Sequence, residues 1–154
     1  MKLFQIEEPD GGPADATAPG AAIGIDAAGA AAEIAFAVGG NALVLNDREG
    51  FEQALTVPVT AAGVAAWAEL FKGARHRAER ALARPVTNAV IVLAATPDGE
   101  AAGSIREAAS RAGLGVLRLV VQHELGEDSP PVLAAAVLAE DLAPRPELDP
   151  PGRS

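Results

Sequence analysis

At 154 residues, 49% hydrophobic and 21% charged, the chain is long enough to bury the core of one domain and too apolar to be disordered throughout. Its net charge of −9 argues against a general affinity for nucleic acid, because binding phosphates needs a positive field. The absence of cysteine excludes disulfides, thiolate catalysis and cysteine-held metals. Aromatic residues make up only 3% and alanine dominates, so the expected core is built from small side chains and closely approaching elements, with modest stability.

Residues 1–20 have no signal-type apolar core and read as a disordered tail, and from Glu7 they are rich in Pro, Gly, Ala and Asp. Three short strand candidates follow: Ala22 to Asp26, Glu33 to Val38, and Ala42 to Leu45. Gly39-Gly40 between the last two predicts a tight hairpin turn, so the three strands are expected to form an antiparallel meander. A long helix is predicted over Ala61–Ala83, with Thr60 as its N-cap and Val64, Trp67, Ala68, Phe71, Ala74, Ala78 and Leu82 at helical spacing. Its other face carries Lys72, Arg75, Arg77, Arg80 and Arg84, which reads as a solvated basic face more readily than as a nucleic-acid surface.

Ala89 to Leu93 is a continuous apolar run of β-branched character, as in a strand buried on both faces. Pro97, placed at the first helical position, introduces a helix over Gly99–Ala112 that closes on Gly113 with Leu114 behind it. Val116 to Val121 is another buried strand, and Ser129-Pro130 opens a last helix over Pro131–Asp141. Residues 144–154 contain four prolines and read as a second tail, leaving 21–143 as the domain. No apolar run reaches membrane-spanning length, so no membrane association and a cytoplasmic location are the expectations. The order β-β-β-α-β-α-β-α predicts an α/β fold, a mixed five-stranded sheet with helices on both sides, which is the ribonuclease-H-like arrangement shared by actin-like ATPases, sugar kinases and several nucleases.

Two segments resemble a family. Ile23-Gly24-Ile25-Asp26 followed by small residues resembles the G-I-D-L-G-T-T phosphate loop of DnaK-type heat-shock chaperones, and Gly39 to Gly50 continues as those chaperones do. Pro85-Val86-Thr87-Asn88-Ala89-Val90-Ile91-Val92 is similar to their phrase P-V-T-x-A-V-I-T-V-P-A. Arg106 to Leu119 is similar to their T-x-x-A-G-x-I-A-G-L-x-V-L-R-I stretch. The resemblance covers Ala22 to Asp141. It skips an outer subdomain with a catalytic lysine, in whose place only a few residues run between Gly50 and Pro58, and it stops before the family's second lobe.

That resemblance implies ATP or ADP with magnesium as cofactors. It places Asp26 where an aspartate positions the metal's water shell, and Ala27, Ala28, Gly29 and Ala30 where Gly and Thr cradle phosphate. Here no hydroxyl follows Asp26, and Gly29 stands one position away from the family's glycine. The family's second catalytic carboxylate falls on Gln122 without gaps, or near Glu124 or Glu127 with them, while His123 reads as an ordinary loop residue. The expectation is a degenerate pseudo-ATPase, a non-catalytic interaction or assembly module with at most weak ATP binding. The alternative is an active metal-dependent ATPase or nuclease completed by a partner chain, with Asp26 as its first metal ligand. A homodimer or a protein partner is expected on an exposed apolar face of the last helix, formed by Val132, Leu133, Ala136, Val137 and Ala139.

Overall fold

The first described strand has side chains buried on both faces, so helices must cover it from two sides. Residues 20–45, 55–59, 62–126 and 128–143 are described by a computed structural model. Apart from Gly20, the two expected tails lie outside those residues. Strand β1 is Ala21–Asp26, β2 is Ala31–Val38 and β3 is Asn41–Val44. Helix α1 spans Val64–Leu82, β5 Val86–Leu93, α2 Gly99–Arg111, β6 Gly115–Val121 and α3 Pro131–Leu142. A two-residue strand, β4 at Leu55–Thr56, pairs with Ala31 and Ala32 and brings the sheet to six strands. Hydrophobic periodicity cannot register an element of two residues, which is why five were expected.

The sheet order is β3-β2-β1-β5-β6, with β4 also on β2. Antiparallel pairing joins β1 to β2 and β2 to β3, and parallel pairing joins β1 to β5 and β5 to β6. The β2–β3 turn is Gly39-Gly40, with φ of +61° and +84°. A two-residue loop with both residues at positive φ matches the right-handed twist of the strands it joins, and glycine takes that geometry without strain.

The two faces of the sheet are packed differently. Helices α1 and α2 cover one face with large side chains: Trp67, Phe71 and Ile105 meet Ile23, Ile25, Ile34, Ile91 and Leu93. Trp67 and Phe71 stack tilted at 31° with ring centroids 5.7 Å apart. Among the described residues, helix α3 is the helix that covers the other face, placing Val132, Ala135, Ala136 and Ala139 on Ala22, Ala35, Ala37, Val90, Val92 and Val120. Its apolar residues are therefore used against the sheet. Val132 and Ala136 are buried and Leu133 and Val137 half-buried, which corrects the expectation of an exposed apolar face on this helix. Among the described residues, the large exposed apolar side chains are Val38, Leu43, Val59 and, at the margin, Leu142.

Helix ends follow local chemistry. Helix α1 starts one turn later than expected, at an uncapped Gly63, and Thr60 lies outside the described residues. In α2 the N-cap is Asp98, whose Oδ1 accepts the Ala101 N–H at 2.7 Å, so Pro97 sits just before the helix and not at its first position. The far end of α2 is a Schellman closure, with Leu114 N–H donating to Ala109 and Gly113 N–H to Ser110. Helix α1 instead closes on Ala83, held left-handed at φ 56°.

Polar ties cross between elements. Glu140 of α3 accepts both turn N–H groups, from Gly39 at 2.5 Å and Gly40 at 2.9 Å. Arg75 of α1 donates to the Ala112 carbonyl at 3.0 Å and pairs with Glu79, which also accepts the Val86 N–H at 2.9 Å. Two substitutions of opposite sign test this account. A Cβ at Gly24 would lie 2.5 Å from the Ala136 nitrogen, so Gly24→Val is expected to cost roughly 3 kcal/mol. Ala83→Gly relieves a left-handed alanine and is expected to add up to about 1 kcal/mol. Urea unfolding followed by the fluorescence of the single tryptophan, Trp67, measures both.

Candidate functional site at the carboxyl edge of the sheet

Three parallel strands, β1, β5 and β6, end on one edge of the sheet. The register aligns Asp26 with Val92 and Val92 with Val120. Asp26 and Gln122 thus lie along the same edge with β5 between them, Gln122 two residues beyond the position aligned with Asp26. In open α/β sheets this edge is where ligands bind.

The turn after β1 is closed by the Asp26 carboxylate and by bonds to β5 and to the segment after β4. Ala28 N–H donates to Asp26 Oδ1 at 3.0 Å, and Ala27 N–H donates to the Val92 carbonyl at 2.8 Å. The Ala30 carbonyl accepts the Val57 N–H at 2.9 Å. Only Gly29 and Ala30 stand at the exposed tip, where an added Cβ on Gly29 would meet nothing nearer than the Ala31 carbonyl oxygen at 3.9 Å. Gly24, in the Gly-Ile-Asp segment, gives its space to α3. Of the four N–H groups that follow the half-buried Asp26, those of Ala27 and Ala28 are turned into the protein.

Glu33 belongs to this site and was not singled out from the sequence. It pairs directly across from Asp26, so two carboxylates stand side by side on one face of the β1–β2 hairpin. Six residues, 27–32, separate the pair although only four, 27–30, lie between the strands, so the register and not the loop length reveals it. Among the described residues, no three His, Asp or Glu side chains gather to hold a metal.

At the other end of the edge, β6 runs into a 3₁₀ turn, Gln122–Leu125. Gln122 and His123 are exposed and line an open groove of about 560 Å³ with Gly126, Asp128, Ser129, Pro130 and Pro131. Glu124 does not supply a free carboxylate there, because its Oε1 accepts the Val121 N–H at 3.0 Å and closes the turn. Glu127 lies outside the described residues. The groove is bordered by Asp128 and by Ser129, which the sequence marks only as a helix entrance.

The basic face of α1 is interleaved with acids. Lys72 approaches Glu69 at 4.0 Å, Arg75 is committed to Glu79 and Ala112, and Arg77 and Arg80 also have partners. No described helix is long and apolar enough to cross a membrane. No family model matches the chain, and no curated protein matches it.

Like charges directly opposite in an antiparallel pair repel. Glu33→Gln is therefore expected to stabilise the fold by about 0.2–1 kcal/mol at low salt, shrinking as salt screens the pair. Unfolding curves at low and high ionic strength check both parts.

Proposed function

We propose that this chain is a ribonuclease-H-like module of the DnaK-type chaperone lineage that acts by contact and has lost phosphoryl transfer. The fold half of the reading is supported by the strand order β3-β2-β1-β5-β6, antiparallel through β1 to β3 and parallel from β1 to β6, with helices on both faces. That order agrees with what the resemblance of Ala22 to Asp141 implies.

The turn after β1 carries the non-catalytic half. Phosphoryl transfer depends on positioning and on groups that neutralise charge on the transferring phosphate. At Asp26 one carboxylate oxygen and the next two N–H groups are consumed internally, and the residues that follow bear methyl groups or nothing. A phosphate approaching this turn meets no hydroxyl and, beside Asp26, no N–H. Magnesium and nucleotide therefore do not fit the residues present, and no step through them is derived.

A ligand that binds only the native state raises stability, by about 2.7 kcal/mol at one hundred times its Kd. In a domain of this size that is a shift of several degrees. Thermal unfolding with millimolar Mg-ATP or Mg-ADP is expected to match unfolding without them. Phosphate release is expected to run no faster than in Asp26→Asn. A rise in Tm or a turnover that Asp26→Asn abolishes would overturn the reading and make Asp26 a working metal-positioning group.

A further inference from the structure

Helix α3 has weaker ends than its neighbours. No side chain caps its start, no acid stands in its first turn and no base in its last. Helix α2 has all three, in Asp98, Glu100 and Arg111, and α1 has Arg80 and a left-handed closure at its far end. The last turn of α3 instead carries two carboxylates, Glu140 and Asp141. They stand where the aligned peptide dipoles leave negative partial charge, so both oppose the helix. The packing beneath is also light. Val132 and three alanines are the buried side chains of α3, whereas α1 buries Trp67, Leu70 and Phe71 with two alanines, and apolar stabilisation scales with the area removed from water. Helices α1 and α2 brace each other through Arg75 and the Ala112 carbonyl. Helix α3 packs on strands and on the 3₁₀ turn.

We propose that α3 is a lid on the sheet and that Glu140 is its catch. The position of Glu140 is wrong for the helix and right for the β2–β3 turn, whose Gly39 and Gly40 N–H groups its two oxygens accept. Asp141, exposed beside it, takes no part in those bonds. The β-ladders run from strand to strand and none passes through α3, so the helix can lift while the sheet keeps its hydrogen bonds. The larger core of Trp67, Phe71 and Ile105 lies on the opposite face and is not opened by that movement. Lifting uncovers a strip of small apolar side chains at Ala22, Ala35, Ala37, Val90 and Val92. Elements that move in regulation are drawn from the low-stability end of a fold, and α3 occupies that end here. The lid depends on packing and on Glu140, so its failure would leave the nucleotide test at Asp26 untouched.

Hydrogen exchange of the full chain, read amide by amide under native conditions with low added urea, is the test. Amides from Ala135 to Glu140 are expected to exchange together, at least about tenfold faster than those of β1 and β5. Two substitutions then decide what Glu140 does. Glu140→Ala and Asp141→Ala each remove a carboxylate from the same helix end and install a better helix former. As plain helix residues, both would slow exchange in α3. A catch reverses one sign: Glu140→Ala is expected to speed it about tenfold, while Asp141→Ala slows it a few-fold. Trp67, 1% exposed on the other face, is expected to keep its emission in both variants, which separates a lifted lid from a lost fold. Wild-type α3 amides that exchange only together with those of β1 and β5 would overturn the proposal. So would a Glu140→Ala variant whose α3 exchanges no faster than wild type.

Discussion

Helix α3 lies so close to β1 that only a residue without a Cβ fits beneath it at position 24. Much of the molecule follows from that contact. One helix has to cover β3, β2, β1 and β5 on its face of the sheet, and a single helix reaches four strands only by lying low over them. Alanines at 135, 136 and 139 and small residues at 22, 24, 35 and 37 allow that approach. The cost is apolar area, since each CH₂ missing from a core position forgoes about 0.8 kcal/mol. The large side chains have gone to the opposite face, where two helices share the cover.

A thin layer of small side chains also explains where the polar ties are found. Glu140 anchors α3 to the hairpin turn with two charge-assisted hydrogen bonds, at the end of the sheet where β2 and β3 extend past other cover. On the other face Arg75 and Glu79 link α1 to the end of α2 and the start of β5, so one ion pair fixes three elements. These ties use charged groups at modest exposure, where their hydrogen bonds to backbone hold more than the ion pair alone. The same economy closes the turn after β1. Asp26 satisfies its own loop through the Ala28 N–H, and the Ala27 N–H is spent on β5, so the bonds that hold the hairpin point both groups inward.

Much of the architecture was legible in the residues. The buried run at 89–93, the Gly39-Gly40 turn and the Gly113 closure each rest on local chemistry that tolerates few alternatives. The strand at 116–121 was expected to be buried throughout, but only Val120 and Val121 are, because β6 lies at the end of the strand order. Start points were less legible. Thr60 looked like the better cap for α1, but packing begins the helix at Val64, and Asp98 outcompeted Pro97 because its carboxylate reaches an N–H that proline cannot serve. The apolar character of α3 was visible too, but it was assigned outward, because a helix apolar on most sides looks uncovered until the width of the sheet beneath it is known.

Sequence by itself determined the order of the helices and of every strand but the two-residue β4, the mixed character of the sheet and the chemical poverty of the segment after Asp26. Those are properties of neighbouring residues: periodicity, turn chemistry and the absence of hydroxyls. Tertiary structure alone decided that Glu33 stands across from Asp26, that Glu124 is spent on its own turn, and that Val38 and Leu43 remain in solvent while α3 does not. Each of these depends on strand register or on which face a helix covers. Both are settled by packing between residues far apart in the chain, which no local pattern encodes.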